Sequence, residues 1–362
     1  FLKCRIIIIM IKRVSGRVWL SLATAVILVV IIYLSRHEIM QSWHLLGKVD
    51  MSIILWLIPL QFLSFYSMGA SMFSYLRAQG RARHISAPDL ARLSLEMNFV
   101  NHILPSAGVS GVSYIGWRLK FYGISPSKSA AAQLIRIVAT FIAYVVILLV
   151  SVTAMLFDGS LNRLTVIVTI GLAILIFGVV AIVVYILEHN KNFENTAKKI
   201  INFVNKSIQI ITFGHHKKGI KSSKSLAGFL NELQKDYCQV KSKKKMIIKP
   251  FFWGLVLNLS DIAMFYCVFL ALGHPINPAP LVAAYGLAGA SSIFMVTPGG
   301  AGAYELIMVA FLAAAGIDNQ AGIAAIVLTR VLLMAGTIIG GYAFYQQAIV
   351  KRGKSDDTDA NS

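Results

Sequence analysis

Six apolar runs recur along this chain, each about as long as a helix that crosses a bilayer: Val18–Ser35, Met51–Leu76, Ala130–Phe157, Leu164–Leu187, Ile247–Leu272 and Ala321–Tyr345. A hydrocarbon core ~30 Å thick asks for about 20 consecutive apolar residues in a helix. Inside lipid every backbone N–H and C=O must find its partner within the protein, and a continuous apolar run does so by coiling into a helix. Composition agrees: 57% of residues are hydrophobic and 14% charged, with a mean hydropathy of +0.71. A soluble domain so composed would expose apolar patches far beyond what stays monomeric in water. The predicted fold class is an all-α polytopic membrane protein with two inverted-topology repeats. It comprises about six full transmembrane helices plus two broken or re-entrant helical hairpins.

Those hairpins are the stretches Leu90–Tyr122 and Leu281–Gly316, apolar but interrupted in the middle. Val18–Ser35 is too long for the hydrophobic region of a cleaved leader and lacks a small-residue exit site, so it reads as a retained helix. Met10 is the expected start, with Phe1–Ile9 outside the native protein. Cys4, Cys238 and Cys267 are scattered and support neither a disulfide framework nor a metal site.

The net charge of +19 would fit a nucleic-acid binder only if the cations formed a patch on a folded face. Here they lie between apolar runs, as the cytoplasmic loops of membrane proteins require. Of the 34 lysines and arginines, 29 fall on one side when the two broken stretches each cross an even number of times, and only Arg36, Lys48 and Arg163 fall on the other. This bias places both termini and the loop 188–246 in the cytoplasm of a multi-pass cell-membrane protein. The expected divisions are a basic segment 1–17 and a helical region 18–187 holding the first repeat, 51–157, with its hairpin 90–122. The loop 188–246, a second repeat 247–347 with its hairpin 281–316, and a tail 348–362 follow.

The repeat rests on landmarks. Pro105 and Pro298, Gly80 and Gly273, and Gly123 and Gly316 each stand 193 residues apart, and Arg136 and Arg330 stand 194 apart. An odd number of crossings between the copies inverts the second relative to the first, the pattern of many secondary transporters with binding sites at their broken helices. The loop between them carries Phe193, Ala197, Ile200, Val204, Ile208 and Ile211, then Leu226, Leu230, Leu233, Tyr237 and Val240, all at helical spacing. With lysines on the other faces, both read as amphipathic helices on the anionic leaflet.

The candidate site is built from the two breaks, NHILPSAGVSG (Asn101–Gly111) and VTPGGAGAYE (Val296–Glu305). A helix beginning after Pro298 would aim the N–H groups of Gly299, Gly300, Ala301 and Gly302 inward; Ser106, Ala107, Gly108 and Ser110 would do the same after Pro105. Helix N-termini attract anions through those N–H groups and the helix dipole. Arg136 and Arg330 lie inside apolar spans and would add full charges. The expected substrate-binding set is therefore Arg136, Arg330, Glu305, Gly299, Gly300, Gly302, Pro298, Pro105, Ser106, Gly108 and Asn101, with a lipid phosphate as ligand and no metal or cofactor. Asn98 and His102 are placed to line the same space. The plainer reading is that the glycines let helices pack closely, and that the arginines pair with Glu305, Glu96 or Asp261 to hold helices together. Two arginines and one carboxylate at equivalent depth leave a surplus positive charge, which favours an anionic ligand.

At these residues the chain resembles the lysylphosphatidylglycerol synthase transmembrane-region family. Asn101, Pro105, Gly108 and Arg136, followed by PGGAGAYE and Arg330, carry the likeness, which extends over about Ser15–Val350. The second motif is the more specific; in the first, Val109 and Val112 stand where an arginine or glutamate often follows the glycines. The resemblance implies a stand-alone, flippase-like membrane domain without the soluble aminoacyltransferase domain of two-domain relatives. The longest polar segment, Glu188–Met246, is too small to be such a domain. No nucleophile or acid–base pair reads from the membrane region, so an enzyme is not expected. The function expected is binding or translocation of an anionic phospholipid or lipid-linked intermediate. The alternatives are a scaffold for a lipid- or glycolipid-modifying enzyme and, further off, a lysyltransferase. Anionic membrane lipids are the expected partners, with no nucleic acid; a homo-oligomer or a partner enzyme of lipid metabolism is compatible with the sequence.

Single cysteines introduced near Lys217, in a background lacking the three native cysteines, are expected to resist impermeant thiol reagents in intact cells. Labelling there from outside would overturn the charge-derived topology.

Overall fold

A computed structural model describes residues 33, 36, 40, 43–45, 47, 49–104, 109–158, 163–189, 193–195, 197–199, 201–202, 205, 223–292 and 302–359. Nearly all of the expected span Val18–Ser35, and the break residues Pro105, Ser106, Ala107, Gly108, Pro298, Gly299, Gly300 and Ala301, lie outside them. Among the described residues every element is helical. The helices are α1 (Met51–Ile54), α2 (Leu57–Ala78), α3 (Ala87–Ile103), α4 (Val109–Lys120), α5 (Pro126–Asp158), α6 (Arg163–His189), α7 (Ser223–Ser242), α8 (Lys245–Ala271), α9 (Pro278–Ser292), α10 (Ala303–Ala314) and α11 (Asn319–Asp359). Five helical stretches are long and apolar enough to cross a membrane, namely Met51–Ala78, Pro126–Phe157, Val166–His189, Lys245–Ala271 and Asn319–Ala348. The chain is a multi-pass, all-α membrane protein.

Local sequence explains where the helices start and stop. Ser86 precedes α3 and accepts from the Asp89 N–H, with a proline at the entry of the helix. Asn277 accepts from the Ala279 N–H at 3.0 Å. Ser125 accepts from the Lys128 N–H and Asp318, 193 residues on, accepts from the Ala321 N–H at 2.8 Å, so the two arginine-bearing helices α5 and α11 begin with caps at the repeat spacing. The ends match too. Gly80, Gly123, Gly273 and Gly316 all have positive φ, between 71° and 89°. After each, the next N–H reaches back to a carbonyl five residues earlier: Arg81 to Leu76, Ile124 to Leu119, His274 to Phe269 and Ile317 to Leu312, at 2.9–3.1 Å. This is the glycine-terminated helix end that satisfies otherwise orphaned carbonyls, and a Cβ would strain each turn. The four glycines picked out by sequence spacing thus perform one backbone task, and α2–α5 correspond in order to α8–α11.

The two sets interlock. α2 packs along α8, where the Ser71 hydroxyl donates to the Pro250 carbonyl at 3.0 Å. α3 packs on α11 of the other set and α9 packs on α5. The Phe99 ring lies 5.9 Å from that of Tyr342 and 5.4 Å from that of Tyr345. The Tyr144 hydroxyl of α5 donates to the Val282 carbonyl of α9 at 2.9 Å. The largest buried apolar cluster joins residues of α5, α8, α9, α10 and α11, and a second joins α2, α3 and α4. Ile167, Ile170, Ile174, Phe177 and Ile182 of α6 remain more than half exposed, the outward face expected of a helix meeting lipid.

Two expectations change. The run Met51–Leu76 is not one helix: Asp50 caps the short α1, accepting from the Ser52 N–H at 2.9 Å, and α2 begins only at Leu57. The amphipathic helices of the 188–246 loop were expected to turn their apolar faces to the leaflet; Ile200, Val204, Ile208 and Ile211 of the first lie outside the described residues, but the described part of these faces meets protein. Phe193 and Ala197 cluster with Ala227 and Leu230, and Leu233 packs with Ala131 and Leu187. Fully buried Asp236 of α7 is ion-paired to Lys128 and accepts from Gln79 Nε2 at 3.0 Å, so α7 is docked on α2 and α5 by charge as well as by leucines.

The α2–α3 crossing is close. A Cβ at Gly69 would stand 2.8 Å from the Leu90 carbonyl oxygen and 2.5 Å from the Ser94 hydroxyl. Gly69→Val is expected to cost about 1–3 kcal/mol, seen as a lowered melting temperature in detergent; no change would rule out this close approach.

Candidate functional site

Arg136 and Arg330 sit inside the apolar stretches of α5 and α11, on helices whose starting caps are 193 residues apart. Interlocking of the two sets turns both into one cavity of about 470 Å³. Asn98, Asn101 and His102 of α3 line it, as do Asp261 of α8, Tyr285 of α9 and Tyr304 of α10. The structure thus gathers Asn101, Arg136 and Arg330 of the expected site.

The two arginines are held differently. Arg330 Nε donates to Glu305 Oε1 at 2.7 Å, and its guanidinium lies 4.5 Å over the Tyr304 ring centroid. The other oxygen of Glu305 accepts from the Gly302 N–H at 2.7 Å. One carboxylate therefore neutralises the arginine and caps the first turn of α10. That corrects the expectation of a free Gly302 N–H aimed at a ligand: α10 begins at Ala303 and Glu305 already occupies the donor. Arg136 Nε donates to Gln133 Oε1 at 2.9 Å, a neutral partner from the preceding turn of the same helix. Among the described residues no carboxylate lies within ion-pair reach of Arg136.

Across the cavity, Asp261 is held by neutral hydroxyls. Ser64 donates to one oxygen at 2.6 Å and Tyr285 to the other at 2.9 Å. The surplus positive charge inferred from sequence is therefore answered, at a distance, by Asp261: the cavity holds a cation and a carboxylate that do not pair. Glu96 does not face this cavity. It is fully buried between Arg92 and Arg118, each donating Nε at 2.8 Å, and it accepts from the Tyr114 hydroxyl at 2.8 Å. It ties α3 to α4 and has no share in the site.

The polar lining continues between the sets. Gln61 Nε2 of α2 donates to the Leu333 carbonyl at 2.7 Å. His102 Nδ1 donates to the Asn98 carbonyl at 2.8 Å, which leaves Nε2 as the ring's other polar atom. Asn101 is shared: its Oδ1 accepts from the Gly111 N–H at 2.8 Å, satisfying a donor in the first turn of α4 as Glu305 does for α10. Sequence reasoning missed Gln61, Tyr285 and Tyr304 as site residues, and weighed Asp261 only as a countercharge. The available signal was their polarity within apolar helices: Gln61 and Ser64, like Asn258 and Asp261, stand three apart and so share a helix face.

A profile of the family described as "Lysylphosphatidylglycerol synthase TM region" matches residues 18–341. The chain belongs to that family. Among curated relatives, a UPF0104 membrane protein of Pyrococcus horikoshii is 20% identical over 249 residues, covering 67% of this chain and 72% of that protein. The Glycosyltransferase AglD of Haloferax volcanii is 30% identical over 121 residues, which is 32% of this chain and 19% of that protein. This lysylphosphatidylglycerol synthase transmembrane-region chain therefore spans only about a fifth of the glycosyltransferase.

Glu96→Gln would leave Arg92 and Arg118 without their shared countercharge. Breaking a buried pair of this kind costs about 3–5 kcal/mol, so the variant is expected to melt well below wild type, whereas Arg136→Gln, which breaks no ion pair, is expected to melt close to it. Equal melting temperatures for wild type and Glu96→Gln would refute the assignment of Glu96 to the framework.

Proposed function

We propose that this membrane protein binds and moves an anionic phospholipid or lipid-linked intermediate between leaflets, with the phosphate held at Arg136 and Arg330. The observation that carries the reading is Arg136: a guanidinium facing a cavity inside an apolar bundle, with no carboxylate among the described residues to pair with it. Burying an unpaired cation is costly, and a charged residue within a transmembrane segment is by default a functional group. A phosphate accepts from a guanidinium in bidentate fashion and would complete the site. The matching sets α2–α5 and α8–α11 support an inverted-repeat arrangement, in which the cavity lies between the two broken hairpins. Glu305 then keeps Arg330 from holding the phosphate too tightly, and Pro105, Ser106, Gly108, Pro298, Gly299 and Gly300 belong to the backbone that flanks the ligand. The termini and the lysine-rich loop lie in the cytoplasm and the protein in the cell membrane. No reaction is assigned to the site.

A second reading has its own support. The family description names a lipid synthase, and one relative that shares part of this chain is named a glycosyltransferase, so such membrane regions occur together with enzymes. A scaffold that presents a lipid to a separate enzyme would use the same arginines but would not move lipid across.

In proteoliposomes, at least one of Arg136→Gln and Arg330→Gln is expected to abolish translocation of a fluorescent phosphatidylglycerol while expression and folding persist. Glu305→Gln is expected to slow it. Added phosphatidylglycerol should raise the melting temperature of wild type more than that of either arginine variant; equal shifts in all three would remove the phosphate site. Binding without translocation in wild type would select the scaffold.

A further inference from the structure

A second cavity, of about 890 Å³, lies away from the central one, where the end of α2 meets the α7–α8 junction. Its rim is the sequence KSKKKMIIK, Lys241–Lys249, and its lining holds Arg77 and five lysines, Lys241, Lys243, Lys244, Lys245 and Lys249, with no acidic residue. Its deeper wall is apolar and aromatic: Ala70, Met246, and Tyr66 with Trp253, whose rings meet edge to face at 5.3 Å.

The cations are not equivalent. Lys241 donates to Glu188 Oε1 at 2.5 Å, and Tyr237 donates to the same oxygen at 2.6 Å, which fastens the end of α7 to α6. Arg77 donates to the backbone carbonyls of Ala82 and Ile85, so it is positioned but keeps its charge. Lys243, Lys244, Lys245 and Lys249 are exposed, and none has a carboxylate in ion-pair reach among the described residues. Nor do they hang on a floppy loop. The buried Asp236–Lys128 pair anchors α7 on one side of them, and the Ser71–Pro250 hydrogen bond anchors α8 on the other. A like-charge cluster held together this way raises the free energy of the unliganded protein through self-repulsion, which a multiply charged anion relieves.

We infer that this pocket is a second anion site, specific for a headgroup of net negative charge that presents a phosphate, separate from the central cavity and independent of the function proposed for it. The four unpaired lysines and Arg77 take the phosphate, and the Tyr66–Trp253 wall takes the apolar part of an amphiphile. Clustered lysines attract phosphate as point charges with little demand on geometry, and basic pockets between helices near a membrane surface hold anionic lipid headgroups. A lipid and a soluble polyphosphate offer the same chemistry here; the apolar wall favours the lipid.

The test uses the purified full chain carrying Arg136→Gln, so that the central cavity contributes as little as possible. Phosphatidylglycerol binding is measured by native mass spectrometry, with zwitterionic phosphatidylcholine, whose choline cancels the phosphate charge, as the control. Each lysine near such a surface is worth about fivefold in affinity, so changing Lys243, Lys244, Lys245 and Lys249 together to glutamine is expected to weaken binding by ~100-fold or more. Changing the same four to arginine should preserve it. The glutamine variant should melt, without lipid, no lower than its parent, because the four side chains are exposed and their removal relieves repulsion. Displacement of the lipid by inorganic pyrophosphate would support the site with a soluble ligand as its source, and no displacement would support it with a lipid. Undiminished phosphatidylglycerol binding in the glutamine variant, or equal binding of phosphatidylcholine by the parent, would overturn the proposal. Loss of lipid translocation in Arg136→Gln alone bears on the central cavity and not on this one.

Discussion

A helix that stops inside an apolar bundle leaves N–H groups at its start and carbonyls at its end with no water to receive them. The rest of this structure depends on how those groups are satisfied. α3 and α9 are 17 and 15 residues long, and α4 and α10 follow them beyond the breaks. Asn101, projecting from α3, accepts the Gly111 N–H of α4, and Glu305 accepts the Gly302 N–H ahead of α10. Each hairpin is thereby closed by a side chain of its own. Without such partners a broken helix would cost several kcal/mol per orphaned group in lipid, and the chain would gain by continuing straight. Each of these side chains satisfies one N–H near the start of the following helix, and Asn101 also lines the central cavity while Glu305 meets Arg330.

The same economy of partners separates framework charge from site charge. Glu96, Arg92, Arg118 and Tyr114 form a closed set in which both oxygens of the buried carboxylate are used. Asp236 of α7 and Lys128 of α5 form a buried pair that also accepts from Gln79. Around the central cavity the charges are left apart: Arg136 rests on a glutamine, Asp261 on two hydroxyls, and only Arg330 meets a carboxylate, which it shares with a backbone N–H. Had stability alone set the arrangement, Arg136 and Asp261 would gain by pairing as Glu96 does. Kept separate, the Arg136 guanidinium and the Asp261 carboxylate are the unneutralised charges of the cavity, the feature on which the proposed lipid site rests.

Much of this was legible from residue spacing, because helix ends are local. Gly80, Gly123, Gly273 and Gly316 could be found by their offset alone, and each proves to be a left-handed turn with the same reach-back hydrogen bond, a task that needs only the residue and its own helix. Arg92 and Glu96, four apart on α3, were likewise readable as neighbours. What was not legible depends on which surfaces meet. The leucines of α7 announced an apolar face, but periodicity does not say whether that face meets lipid or protein, nor which of Glu232 and Asp236 on the same helix is buried beside a cation; the fold decides for Asp236. The second half of the Glu96 cluster, Arg118, arrives from α4 only because the hairpin folds back. Of the hydroxyls on Asp261, that of Ser64 arrives from α2 only because the sets interlock, and that of Tyr285 arrives from α9, the next helix of its own set, only because α9 folds back on α8.

That interlocking carries a further consequence for how the cavity could open. Each break-preceding helix packs on the arginine-bearing helix of the other set, α3 on α11 and α9 on α5, through contacts that leave little slack: a Cβ at Gly341 would lie 2.4 Å from Phe99 Cβ, and one at Gly286 would lie 1.8 Å from the Tyr144 hydroxyl. Helices so closely meshed slide or rock as bodies; they do not part gradually, because packed interfaces have few intermediate arrangements. A shift of α9 along α5 would break the Tyr144–Val282 hydrogen bond and carry Tyr285, and with it one of the two donors on Asp261, away from the arginines. The helix interface and the polar lining of the cavity are thus joined through two tyrosines of neighbouring helices, 6.1 Å apart ring to ring. Widening the gap by a side chain at Gly286 would force Tyr144 out of that contact. Gly286→Ala is thus expected to disturb the cavity at a point with no charge of its own, leaving every arginine and carboxylate in the sequence untouched.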